Sequence, residues 1–105
     1  MRDESGTEQD PSAGIGARIP WRVVEVRALP GFRLAVRFAD GTRGEVDASR
    51  LILGRQAGVF QRLRDPALFA QVRLDEGAVS WPGDIDLAPD AMYDEIRLNG
   101  RWILE

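Results

Sequence analysis

Five carboxylates crowd one stretch late in this sequence: Asp84, Asp86, Asp90, Asp94 and Glu95. Hard cations such as Ca²⁺ are bound by oxygen ligands at that density, and counted from Asp84 the acids stand at positions 1, 3, 7, 11 and 12 of a twelve-residue calcium loop. The pattern fails where it is most demanding. Position 5 is Ala88, and position 6, where the sharp turn needs Gly, is Pro89. Asp90 suits the first turn of a helix, where a negative charge meets the positive end of the helix dipole. Only weak surface binding of Mg²⁺ or Ca²⁺ by Asp84 and Asp86 survives as a remote alternative, and no metal site is assigned.

The other reactive patterns fail in the same way. Gly14-Ile15-Gly16 lacks a preceding strand and a third glycine, and the run from Gly54 to Gly58 lacks the lysine that a phosphate loop needs. Ser49 and Ser80 have neither a histidine nor a lysine to activate them, because the chain contains no His and no Lys. With no Cys either, disulfide frameworks, thiol redox chemistry, thiolate or imidazole zinc sites and the Ser/His/Asp and Cys/His triads are all excluded. Any catalysis would rest on carboxylates and arginine alone. The expectation is a protein that is not an enzyme and uses no cofactor.

Arginine is the remaining chemistry-bearing residue. All 14 basic residues are Arg, against 17 acids, for a net charge of −3, which is too acidic for a general polyanion binder. Uniform arginine usage suits bidentate recognition of phosphate or carboxylate, but it also follows from a coding bias of the source. The charge is uneven along the chain: residues 22–64 carry net +5 and residues 65–105 net −6, a layout that can pair internally or between subunits.

These residues need elements to position them. Residues 1–20 hold few large apolar side chains and much Gly, Ser, Pro and charge, so they are expected to be a disordered leader, with residues 21–105 a single α+β domain. There is no apolar signal segment and no run near the ~18 apolar residues needed to cross a bilayer, so a cytoplasmic location away from membranes is expected. Alternating apolar residues predict a meander of strands over 22–28, 32–38 and 42–47. A three-residue loop Leu29-Pro30-Gly31 would pair Val26 with Leu34 and Val24 with Val36, keeping the apolar side chains on one face. A second three-residue loop, Ala39-Asp40-Gly41 with Gly41 left-handed, pairs Phe38 with Thr42 and Leu34 with Val46 and sets Arg33 across from Asp47.

Beyond Asp47 the periodicity breaks, predicting loop or short helical turns. Asp65-Pro66 restarts the chain as a short helix over 66–70. Residues 72–74 and 78–81 form a second hairpin around Glu76-Gly77, with Leu74 opposite Val79 and Val72 opposite Trp81. A helix over 89–98 turns Met92 and Ile96 to the core and ends at Asn99-Gly100. The apolar tail 101–105 must dock, either as an added strand on its own sheet, which is slightly favoured, or across a dimer.

This arrangement places Arg27, Arg33, Arg37 and Arg43 on the outer face of the meander, among Glu25, Glu45 and Asp47. A nucleic-acid platform would interleave aromatic residues there, whereas Phe32 and Phe38 point the other way. Cross-strand ion pairs such as Arg33 with Asp47 account for the face without a ligand.

Several runs carry a family likeness: Val23 through Leu34, Phe38-Ala-Asp-Gly-Thr42, Gly44-Glu-Val-Asp47, Val59-Phe60 on to Asp65-Pro66-Ala-Leu-Phe69, and Gly77 through Tyr93 with its Trp81-Pro82, Asp86-Leu87 and Pro89-Asp90. Together, over about residues 21–97, they resemble the bacterial domain-of-unknown-function family 2442. The resemblance implies a compact α+β domain with no established catalytic activity and no defined catalytic residue. Its members are met as stand-alone chains, often encoded beside small toxin-like proteins, and sometimes fused to a helix-turn-helix.

The resulting expectation is a binding or regulatory module acting through a protein partner, in an antitoxin-like role, with nucleic-acid binding through the arginine face as the alternative. The candidate contact residues are Arg27, Arg33, Arg37 and Arg43, with Trp81, equally a core residue, and Tyr93. Both monomer and homodimer are compatible with the sequence.

Overall fold

The computed structural model describes residues 19–105 and the backbone of Glu8–Gln9. In chain order the elements are β1 (Glu8–Gln9), β2 (Val23–Leu29), β3 (Arg33–Phe38), β4 (Arg43–Asp47), α1 (Ser49–Leu53), a 3₁₀ helix (Gly58–Arg64), α2 (Pro66–Phe69), β5 (Arg73–Asp75), β6 (Ala78–Trp81), β7 (Ile85–Asp86), α3 (Pro89–Asn99) and β8 (Arg101–Ile103). They build two sheets, one of order β1-β2-β3-β4-β8 and one of order β5-β6-β7. The fold is α+β, with an antiparallel meander, a second antiparallel hairpin extended by β7, and short helices. The expected disordered leader over 1–20 falls largely outside the described residues; within it, Glu8–Gln9 pairs with β2, opposite Val26 and Glu25.

The β3–β4 turn is as its residues dictate. Gly41 has φ 91°, Phe38 and Thr42 are joined by a 2.8 Å hydrogen bond, and Leu34 faces Val46. The first hairpin differs from expectation by two residues. Leu29 pairs with Arg33, so the loop is Pro30-Gly31-Phe32, and Val26 faces Val36 rather than Leu34. Pro30 followed by Gly31 at φ 78° fits the two central positions of a type II turn, and Phe32 then takes a left-handed φ of 58°. That conformation costs a bulky residue energy, and it is offset by packing: Phe32 meets Phe69 edge to face at 5.4 Å. A shift of two residues preserves which face each side chain occupies. A bulge between Val23 and Glu25 then puts both Val23 and Val24 in the interior, so Val24 does not face Val36.

The second hairpin has the expected register, Leu74 opposite Val79, around Glu76 and Gly77 at φ 51° and 84°, both left-handed as a type I′ turn requires. Its turn docks on the first sheet, with the Val23 amide donating to the Gly77 carbonyl at 2.9 Å. Asp65 caps α2 by accepting from the Ala67 amide at 3.0 Å, with Pro66 in the first turn. The tail settles the open question in favour of its own sheet, because β8 runs parallel to β4 with Val46 opposite Trp102.

The core lies between the inner face of the five-stranded sheet and everything else. Leu34, Phe38 and Val46 meet Met92 and Ile96 of α3, Ile52 and Leu63 of the connecting segment, and Val79, Trp81 and Ile85 of the second sheet. Gly44 permits the close approach of α3: a Cβ there would stand 2.5 Å from Ile96 Cγ2 and 2.9 Å from the Gly100 carbonyl oxygen.

Candidate functional site: the arginine face of the sheet

The opposite face of the sheet has no covering layer among the described elements. The pairing registers order its side chains into three rows. One runs Leu29, Arg33, Asp47, Ile103; the next Arg27, Ala35, Glu45, Arg101; the third Glu25, Arg37, Arg43. Strand spacing places the ends of the middle row, Arg27 and Arg101, roughly 14 Å apart, with the small Ala35 between them. The four arginines anticipated from the sequence therefore do share one face. Arg101 joins them because β8 adds to the sheet.

Not all five cations are neutralised. Arg37 Nε donates to Glu25 at 2.7 Å, which raises the Arg37 pKa above its ordinary value. Arg33 stands opposite Asp47 as expected, but its ion pair is with Glu45, at 3.3 Å. The Asp47 carboxylate is held instead by the hydroxyl and amide of Ser49, at 2.7 and 3.0 Å, and these hydrogen bonds lower its pKa. Among the described residues, Arg27, Arg43 and Arg101 make no ion pair. Arg43 also sits directly across from Arg37, an arrangement of like charges that is unfavourable by itself.

The two aromatic candidates are elsewhere. Trp81 is 1% exposed, donates its indole N–H to the Phe69 carbonyl at 2.9 Å and leans on the Phe69 ring, so it is a core residue and offers no contact surface. Tyr93 is buried, with its ring edge-on to Phe38. Its hydroxyl donates to Asp40 Oδ2 at 2.5 Å and accepts from Arg97 Nη1 at 3.0 Å, joining α3 to the β3–β4 turn. That hydrogen bond, followed by the one from the Thr42 amide, holds the Asp40 carboxyl below the usual aspartate range. This group ties two elements together at the periphery of the sheet and is separate from the arginine face.

The late acids do not converge. Asp86 lies on β7, Asp84 in the preceding turn at φ 63°, and Asp90 in the first turn of α3. Among the described residues no three acids lie close enough to share a metal ion, and no helix is long and apolar enough to cross a membrane.

The family model described as a protein of unknown function (DUF2442) matches residues 23–97, which takes in β2 through most of α3. The chain belongs to this family. Searches of curated proteins and of solved structures returned no match. The DUF2442 match covers the meander, the second hairpin and the Tyr93 contact to Asp40; β8, which brings Arg101 to the face, lies beyond it.

Proposed function

We propose that the chain is a non-enzymatic binding module, acting in the cytoplasm, that engages an acidic surface on a protein partner through the outer face of its five-stranded sheet. The observation that carries this reading is the charge arrangement. Arg27, Arg43 and Arg101 lack acidic partners among the described residues, and Arg43 is set against Arg37 on the outer face. A protein carboxylate presented to this face would satisfy planar guanidinium forks bidentately. A protein is favoured over a nucleic acid because Glu25, Glu45 and Asp47 interrupt the cations and would repel a continuous phosphate backbone. In addition, Tyr93 and Trp81 face the interior and give bases nothing to stack on.

The antitoxin-like role rests on the kind of neighbour that the family resemblance implies, a small toxin-like protein. The experiment is co-purification of the chain with its neighbouring gene product, comparing wild type with the triple variant Arg27→Ala, Arg43→Ala, Arg101→Ala. Complex formation that weakens with salt and is lost in the triple variant supports the reading. No complex with the wild type and no relief of the neighbour's toxicity would overturn the antitoxin version. A salt-dependent shift of DNA or RNA that the triple variant loses would replace protein by nucleic acid as the partner.

A further inference from the structure

The five-stranded sheet ends on β8, whose outward edge pairs with no further strand among the described residues; at its Glu105 end only the exposed side chain of Arg50 in α1 is ion-paired to it. The hydrogen bonds to β4 fix which backbone groups that edge presents. The Glu45 amide donates to the Gly100 carbonyl at 3.4 Å and the Leu104 amide to the Asp47 carbonyl at 2.9 Å. Backbone groups alternate sides along a strand, so Trp102 also points to β4, while the N–H and C=O of Arg101, Ile103 and Glu105 point away from it. The same alternation puts the Arg101 and Ile103 side chains on the open face and leaves Leu104 buried. Ile103 is 37% exposed. The edge carries no proline and no bulge of the kind that blocks strand addition.

We propose that a second copy of this chain pairs with this edge, β8 against β8 in antiparallel orientation about a two-fold axis at Ile103, giving a continuous sheet across the dimer. The register is self-complementary. Ile103 faces Ile103 of the second copy, which covers the exposed apolar side chain. Arg101 faces Glu105 of the second copy, and Glu105 faces Arg101, so each β8 contributes one cation and one anion to the seam. Every group in this register is one that already points outward, so the internal ladder to β4 is undisturbed. Glu105 is free to exchange partners, because its internal ion pair with Arg50, at 3.2 Å, joins side chains that are 66% and 71% exposed, a setting in which a pair contributes little. An isologous contact of this kind closes on itself as a dimer and does not grow into a fibre.

The test is sedimentation velocity on the full chain over a range of protein concentrations. The expected result is a concentration-dependent monomer–dimer equilibrium. Ile103→Pro removes an outward N–H without touching the β4 ladder, and is expected to abolish the dimer while circular dichroism stays unchanged. Arg101→Glu places like charges across the seam and is expected to abolish it too, whereas Arg101→Glu combined with Glu105→Arg restores the opposite-charge pairs and the dimer. A wild type that is monomeric at all concentrations, a dimer that persists in folded Ile103→Pro, or a charge swap that fails to restore association would overturn the proposal. The readout is mass alone, and because Arg101 serves both proposals it is Ile103→Pro, which leaves every arginine of the face in place, that separates failure of the dimer from failure of binding at the arginine face.

Discussion

Replacing Tyr93 by Phe tests the contact that joins α3 to the β3–β4 turn. The substitution keeps the ring and its edge-on contact with Phe38 at 5.1 Å, and removes only the hydroxyl that bridges Asp40 and Arg97. A hydrogen bond to an ionised group contributes about 1.5–3 kcal/mol. Asp40 is exposed, so water recovers part of this, and a loss of about 1 kcal/mol at neutral pH is expected. For a domain of this size that is a fall in Tm of about 4–8 °C. The pH dependence is the sharper readout. The folded state holds the Asp40 pKa below its ordinary value of 3.8, so the stabilisation is fully present above that value and is lost as pH falls through the lower folded value. Thermal melts of wild type and Tyr93→Phe should therefore differ by a constant amount near neutrality and converge in acid. Equal Tm values at pH 7, or a gap that persists unchanged in strong acid, would refute the coupling of Tyr93 to the charged Asp40.

Three further outcomes follow from the packing. Gly44→Ala forces a methyl group against Ile96 and the Gly100 carbonyl, and should cost about 1–3 kcal/mol in chemical denaturation; a neutral effect would mean that α3 can retreat from the sheet freely. Ser80→Ala should raise Tm, because the buried Ser80 Oγ has no hydrogen-bond partner among the described residues and an unsatisfied buried hydroxyl costs about 1–3 kcal/mol; a lowered Tm would show that the hydroxyl is satisfied in solution. Trp81→Phe should lower stability by about 0.5–1.5 kcal/mol from the hydrogen bond alone, since it removes the indole donor from a Phe69 carbonyl that keeps the Val72 amide at 3.3 Å, and an unchanged denaturation midpoint would count against that bond.

Local turn chemistry made much of this fold readable. The Asp40-Gly41 and Glu76-Gly77 turns have few compatible geometries, so they set strand register directly. The first hairpin was harder because Pro30-Gly31 is compatible with two loops of the same parity, and the choice between them depends on Phe32 reaching Phe69, a residue far along the chain. At the arginine face, strand alternation was enough to gather Arg27, Arg33, Arg37 and Arg43. It could not assign the ion pairs, because the partner of Arg33 depends on Ser49 having already claimed Asp47. Arg101 was visible only as part of an apolar tail whose docking site lies in a strand distant in sequence. Trp81 was ambiguous for a similar reason: its indole partner is a backbone carbonyl, which no side-chain pattern advertises.

The parallel pairing of β8 with β4 also imposes an order on folding. β2, β3 and β4 are neighbours in the chain and assemble by closing short loops, whereas β8 can reach β4 only after the intervening segment has been gathered, at a greater entropic cost. During that interval the β4 edge presents unpaired backbone groups beside Val46, a template for any strand that arrives first. Misassembly is therefore expected to begin at β4, by exchange of β8 between molecules, and to be most frequent when refolding is carried out at high protein concentration.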